Sequence, residues 1–221
     1  MGVGHGALYH SQSVEQFFMP AAGLKVVIPR SPIQAKGLLL ASIRDPTQSS
    51  SLSQSGARTR GRLHLPLSSA EVLQPGKDIT LLSWGAPLYS CVEAINMLRS
   101  PPTGIQEHVP KDARQAQVEL IDLRTILPWD RESGYFFRSY GSVYVFTKLT
   151  AYTTALSAVA KSVAKTGRCV IVHEAPVTAG AGAEIAAHLQ KSCFLNLEAP
   201  VARVGGLDTP FPHGGWICTS E

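Results

Sequence analysis

From Asp78 to Gly206 the chain alternates short, continuous apolar runs with longer stretches of helical period, and this alternation constrains the fold more than any other feature. DITLLSW is followed by APLYSCVEAINMLRS, in which Leu88, Val92, Ile95 and Leu98 recur at helical spacing, and then by QVELIDL. TTALSAVAKSVAKTG, with Gly167 at its stop, precedes RCVIVHEA, AGAEIAAHLQK and the short ARVGG. Strands that are apolar at every position need cover on both faces, and intervening helices supply it. The pattern therefore predicts an α/β fold, with a mainly parallel sheet between helical layers.

Upstream, Ser13 with Gln16 three residues on predicts a short capped helix ending at Pro20, and LKVVIP a buried strand. Ser31, Pro32 and Gln34 open a second helix. Its expected apolar face is Ala35, Leu38, Leu39, Ser42 and Ile43, and Asp45-Pro46 ends it. Two tracts break the pattern. Thr47 to Arg62 is rich in Ser, Gln and Arg and reads as a linker or irregular loop. Asp130 to Thr154 is aromatic-rich, has neither period, and sits where a connection of about two to six residues is usual.

The 221 residues are 44% hydrophobic and 16% charged, which excludes collagen-like and wholly disordered classes and leaves ample apolar material for a core. The net charge of +4 is scattered, with one dense basic cluster at Arg58, Arg60 and Arg62, so no nucleic-acid partner is expected. No apolar run reaches about eighteen residues, so no membrane span is expected either. Cys91, Cys169, Cys193 and Cys218 show no CxxC or zinc spacing and read as reduced thiols in a reducing compartment. The first residues lack a secretory pattern, which predicts a cytosolic chain or one whose natural start lies further upstream.

Several segments carry groups capable of chemistry. GHGALYHSQS, Gly4 to Ser13, gathers His5 and His10 with a tyrosine and two serines before a helix start. An imidazole there could move a proton or hold a carboxylate, although a turn satisfying its own polar groups is the plainer reading. TAGAGAE, Thr178 to Glu184, could cradle a phosphate on helix-start amides. The dinucleotide fingerprint fails, because Ile185 stands where its third glycine belongs, so a tight packing turn is preferred. His173 and Glu174 lie at the C-terminal end of a strand but on opposite faces, so they make no metal pair. Asp122 and Asp208 read as carboxylates bonding backbone amides.

Taken together, GHGALYHSQS, LKVVIPRSPIQAKGLLL, LPLSSAEVLQPGKDITLLSWG, VELIDLRTILPWD, KTGRCVIVHEAP and CFLNLEAPVARVGGLDTPFPH resemble the β subunit of the thiamine-diphosphate-dependent E1 component of 2-oxo acid dehydrogenase complexes. VIPRSP, RTILPWD and the LNLEAP to DTPFPH tail are closer to the branched-chain (3-methyl-2-oxobutanoate) member than to the pyruvate member. The resemblance implies three-layer α/β architecture in two parts. Residues 1–62 would be the C-terminal part of a pyrimidine-binding domain, irregular over 47–62. Residues 63–221 would be a transketolase C-terminal-like domain with an insertion near 131–153.

It also implies an α2β2 heterotetramer with an E1 α subunit, thiamine diphosphate shared between α and β chains, a lipoyl acyltransferase E2 core as partner, and a mitochondrial matrix location. In that chemistry the thiazolium ylide attacks the 2-oxo carbon, carbon dioxide leaves, and the acyl group passes to lipoamide. The histidine of the HSQ motif falls on His10, with Ser11 and Gln12 to orient it. A family potassium site would map to Ser42, Asp45 and Thr47.

The sequence also departs from the family. The glutamate expected to activate the cofactor would lie upstream of Met1, so the chain alone is expected to be inactive. QSSSLSQS stands where an apolar strand belongs, which reads as a frame slip. About two dozen residues around Gly134 to Thr153 are extra and read as a translated intron ahead of a genuine surface insertion, and GGWICTSE replaces the family's tail. The alternatives are a pyruvate dehydrogenase E1 β-like chain, a non-catalytic module pairing with an α subunit, and a nucleotide-binding protein using residues 178–184.

Overall fold

The computed structural model describes residues 13–21, 23–45, 49–51, 65–129, 135–140, 143–148 and 157–209, with the backbone alone for 49–51, 135–140 and 143–148. In chain order the elements are α1 (Glu15–Phe18), β1 (Lys25–Val27), α2 (Pro32–Arg44), β2 (Ser49–Ser51), β3 (Glu71–Gln74), β4 (Ile79–Ser83) and α3 (Pro87–Arg99). Then follow β5 (Val118–Asp122), β6 (Thr125–Leu127), β7 (Tyr135–Tyr140), β8 (Val143–Lys148), α4 (Ala158–Thr166), β9 (Cys169–Pro176), α5 (Ala181–Ser192) and β10 (Ala202–Gly206).

The expected sheet is present, five strands in the order β10-β9-β4-β5-β3. Four strands run parallel, and β3, which the sequence did not reveal as a strand, joins one edge antiparallel to β5. Alternate residues of the central strands feed two cores. Val118 and Leu120 of β5 pack with Leu88, Cys91 and Ile95 of α3 on one face. Leu82, Ile121 and Ile171 pack with Val159 and Val163 of α4 and Ile185 and Leu189 of α5 on the other. Helix, sheet and helix thus form three layers, as expected for the class. Each fully buried Leu or Ile here contributes about 1.5–3 kcal/mol by leaving water.

The N-terminal residues do not stand apart. Their sheet has the order β2-β1-β6, with β2 parallel and β6 antiparallel to β1, so the third strand comes from the far side of the main sheet's central strands. Val26 of β1 is fully buried in the same core as Leu82, Trp84, Ile121 and Ile126. Whatever their ancestry, the two parts expected to meet at residues 62 and 63 share apolar packing.

Several local expectations need correction. Ser13 does not cap α1: Val14 occupies the cap position, and the Ser13 hydroxyl donates to Glu15 instead. Ser31 does cap α2, its Oγ accepting the Gln34 N–H at 3.3 Å. The buried stripe of α2 is Gln34, Gly37, Leu38 and Ala41, while Leu39 and Ile43 are 49% and 70% exposed. The polar side chain of Gln34 turns that helix, because it is drawn inward to Asp122 and Glu71. On α3, Cys91 takes the core position given to Val92, which is half exposed. Within the tract expected to be irregular, Ser49–Ser51 forms a strand in register with Lys25–Val27. Part of the aromatic tract is a hairpin, Tyr135 opposite Lys148 and Tyr140 opposite Val143.

Buried polar residues lock the helical layers. Thr80 of β4 shares hydrogen bonds with Ser162 and Thr166 of α4, at 2.6 and 2.8 Å. Beside them Lys165 pairs with Glu119 of β5, which also accepts the Gly76 N–H at 3.1 Å. Burial alone would push the Glu119 carboxyl up, but bonds from Lys165, Ser162 and the Gly76 N–H outweigh it and hold the group below its ordinary 4.5. A carboxylate depressed on folding stabilises above its unfolded pKa and loses that contribution as the pH falls through the folded value. Glu119→Gln should therefore flatten the acid limb of a melting-temperature profile recorded from about pH 6 down to about pH 3. An acid limb unchanged by the substitution would contradict it.

Candidate functional site

The C-terminal ends of the parallel strands are where open α/β sheets place chemistry. In this molecule three groupings lie there or beside the adjoining strand β1. Of the residues expected to act, His10, Ser11 and Gln12 lie outside the described residues, as does Thr47.

Ser42 and Asp45 close α2. The Asp45 N–H donates to the Ser42 carbonyl at 3.3 Å, and the Asp45 carboxylate pairs with the Lys25 ammonium at 2.5 Å, bridging α2 to β1. This acid already faces a fixed cation. Among the described residues no cluster of three or more His, Cys, Asp or Glu side chains could hold a metal ion.

Arg30, Gln34, Glu71, Asp122 and Arg124 form the second grouping. Asp122 is fully buried at the end of β5, and one of its oxygens accepts from Arg30 Nε at 3.0 Å and Gln34 Nε2 at 2.8 Å. Its other oxygen accepts the Arg124 N–H at 3.1 Å. Gln34 Nε2 also donates to Glu71 at 3.0 Å, and both arginines approach that acid, at 3.8 and 3.7 Å. Arg124 is held in the left-handed region, φ 56°, and reaches back to the Ser69 carbonyl with Nε and Nη2 at 3.0 and 2.7 Å. Burial pushes the Asp122 carboxyl up in spite of Gln34, Arg30 and Arg124, which favour its charge. The backbone role expected of Asp122 is present, but its larger role is to tie α2 to the main sheet.

His173 centres the third grouping. It is 3% exposed inside β9, one residue past the last pair that β9 makes with β4, and its ring stacks on Trp84 with centroids 5.6 Å apart and planes 7° apart. Glycines wall it in. A Cβ at Gly180 would fall 2.7 Å from its Cε1, one at Gly182 2.6 Å from its Nε2, and one at Gly205 3.1 Å from its Cε1. The first turn of α5 is therefore filled by an imidazole, which settles the 178–184 loop as a packing turn in preference to a phosphate cradle. The loop is fastened from outside, Thr178 Oγ1 donating to Asp208 at 2.5 Å and Arg203 Nη1 to the Val177 carbonyl at 2.9 Å. Asp208 thus has the loop-bonding role expected of it.

Cys91, Cys169 and Cys193 are buried, and burial pushes the Cys169 thiol up to about 12, so it stays protonated and inert. Cys218 lies outside the described residues. No helix among the described residues is long and apolar enough to cross a membrane.

Known proteins resemble the chain both in sequence and in fold. The 2-oxoisovalerate dehydrogenase subunit beta, mitochondrial, of Chaetomium thermophilum is 45% identical over 223 residues, covering 96% of this chain and 39% of that protein. The mitochondrial 2-oxoisovalerate dehydrogenase subunit beta 2 of Arabidopsis thaliana is 46% identical over 219 residues, covering 95% of this chain and 50% of that protein. The chain thus spans half or less of these two relatives. Among solved structures, a split-gene transketolase described as an inactive beta4 tetramer superposes with a TM-score of 0.59 at 19% identity, covering 90% of this chain and 54% of that one, a likeness of fold. The profile "Transketolase, C-terminal domain" matches residues 68–151 and 142–215. The three-layer sheet and this match together place the chain in the transketolase C-terminal domain family.

Proposed function

We propose that the chain serves as a β subunit of a branched-chain 2-oxo acid dehydrogenase E1 component, working in mitochondria with an α partner in an α2β2 assembly. The assembly would decarboxylate a branched-chain 2-oxo acid and pass the acyl group to the lipoyl group of an E2 core. The observation that carries this reading is identity near 45% along almost the whole chain to subunits bearing that name. The same identity favours it over the pyruvate-type alternative and over a nucleotide-binding protein, whose proposed cradle is filled by His173.

In this reading residues 1–62 end a pyrimidine-binding domain and residues 63–221 form the C-terminal domain. The family profile matches in two stretches that overlap around the β7–β8 hairpin, which supports an insertion there. The strand Ser49–Ser51 beside β1 is consistent with an apolar family strand whose side chains have been replaced.

Thiamine diphosphate, when bound, would supply the electron sink that lets the carboxyl group leave. None of the described residues is assigned to hold it. The chain's own contribution is His10, which holds the substrate carboxylate or exchanges a proton with the lipoyl sulfur, with Ser11 and Gln12 setting its orientation. Potassium does not fit the described part of its expected site, since the Asp45 carboxylate is neutralised by Lys25. No step is routed through that ion. Exchanging sodium for potassium should leave the melting temperature of the chain unchanged, and a rise that Asp45→Asn removes would restore the ion.

Co-expression with an E1 α subunit tests the proposal. With a β chain that carries the activating glutamate, the purified assembly should turn over 3-methyl-2-oxobutanoate in the presence of lipoamide, and His10→Ala should lower kcat by about 10²–10⁴-fold. A stable assembly without turnover would instead support the non-catalytic module.

A further inference from the structure

The two faces of the main sheet are covered unequally. On the α4 and α5 side, Cys169, Ile171, His173 and Ala175 of β9 are all buried. On the α3 side burial falls away strand by strand: Leu120 of β5 is 1% exposed, Leu81 of β4 and Val172 of β9 are partly buried, and Val204 of β10 is 54% exposed. Val204 pairs with Val172 and Ala202 with Val170, so these four side chains share that face. Parallel strands are apolar on both sides and need cover on both. Helix α3 reaches β4, β5 and part of β9, which leaves an open apolar strip along β9 and β10, roughly the breadth of one further segment.

A segment suited to that strip follows β10 in the chain. Residues 210–221 come directly after Thr209 and lie outside the described residues. At about 3.3 Å per residue they reach about 40 Å when extended, against about 16 Å for the five residues of β10, so they can turn at the strand's end and run back along it. They carry Phe211, Trp216 and Ile217, and no Asp, Glu, Lys or Arg before Glu221. The family profile runs on to residue 215, so the matched domain includes the start of this segment. The strip is uncharged along β10 as well, because Arg203 pairs with Ile171 on the other face and donates to the Val177 carbonyl. We propose that residues 210–221 fold back over β9 and β10 on the α3 side and seat Trp216 against Val172 and Val204. A tail unlike the family's then completes the third layer of this chain's own domain.

Tryptophan fluorescence of the full chain tests this. Trp84 and Trp129 are 2% and 3% exposed, so of the three tryptophans Trp216 alone is left to report on quencher access. Its emission is the difference between wild type and Trp216→Phe. In wild type that emission should lie well to the blue of its position in urea and resist acrylamide. Val204→Asp, which sets a charge under the indole, should shift it to the red and raise its quenching constant several-fold, with the far-UV circular dichroism unchanged. Should that variant not fold, Ala202→Asp places the charge two residues along the same face, on an exposed side chain, and should do the same.

Trp216 quenched in wild type as fully as in urea would overturn the proposal. So would protection that neither aspartate relieves, since the tail would then be packed elsewhere. Protection that disappears on dilution would hand the strip to a second copy of the chain and overturn it equally. The measurement needs neither an α subunit nor turnover, so its outcome is independent of the proposed function.

Discussion

Asp122→Ala should lower the unfolding free energy of the chain at neutral pH by about 3 kcal/mol, read by urea denaturation. The substitution strands the Arg124 N–H and takes from Arg30 and Gln34 one of their two carboxylate partners, around a space that was fully buried. The estimate sits at the low end for breaking a buried ion pair because Arg30 keeps 27% of its side-chain exposure and can recover some solvation. Asp122→Asn should cost less, since one carbonyl oxygen can still accept, although its amide then faces other donors.

The pH dependence of these variants separates attraction from burial. Burial raises the Asp122 pKa above its ordinary 3.8 despite three favourable neighbours. A carboxyl raised on folding contributes stability that is complete below its unfolded pKa and is lost as the pH climbs through its folded value. Wild type should therefore lose stability relative to Asp122→Asn as the pH rises from about 3.8 through that window. A difference that stays flat with pH would contradict the account. The network's contribution is thus one of register, since it holds α2 in one orientation at an electrostatic cost.

Gly76→Ala should be at least as damaging, exceeding the roughly 1–3 kcal/mol of ordinary overpacking. The added Cβ would fall 2.3 Å from Glu119 N and from Val118 C, and 2.4 Å from the Gln117 carbonyl oxygen. All three are backbone atoms at the start of β5, so no side-chain rotation relieves the clash. The Gly76 N–H bond to Glu119 would be lost with it. The expected result is loss of the cooperative melt, while Gly104→Ala, which meets nothing within 4 Å, should melt like wild type. A cooperative Gly76→Ala melt within a few degrees of wild type would show that β5 can shift as a unit.

How much of this was legible in the sequence depends on the range of the interaction. Continuous apolar runs and helical spacing are local, and they revealed β4, β5, β9 and β10 with α3, α4 and α5. Ser31 and Gly167 were readable for the same reason, since a cap and a left-handed stop at φ 68° involve only neighbours. The face of α2 was not readable. Leu39 and Ile43 look like core residues, and Gln34 faces inward because Asp122, 88 positions away, accepts from it. No local signal encodes that pairing. The short β3 was hidden because EVLQ buries little on either face.

The candidate site divides in the same way. His173 was noticed as a strand-end residue, and TAGAGAE as a glycine turn, but nothing in the sequence said that the glycines serve the histidine. Gly205, in a later strand, completes the enclosure. The HSQ motif became informative through resemblance and not through composition, because a cluster of histidines and serines is equally at home in a self-satisfied turn.

The antiparallel pairing of β6 with β1 governs the order of assembly. Val26 lies opposite Leu127, so the third strand of the N-terminal sheet is synthesised about a hundred residues after β1, the strand it pairs with. Closing a loop ten times longer than a ten-residue one costs about 2 kcal/mol more in chain entropy. The first fifty residues therefore cannot complete their sheet as they emerge. They wait, with Val26 and Val27 uncovered, until the main sheet has delivered β6, which makes this the slow and aggregation-exposed interval of folding.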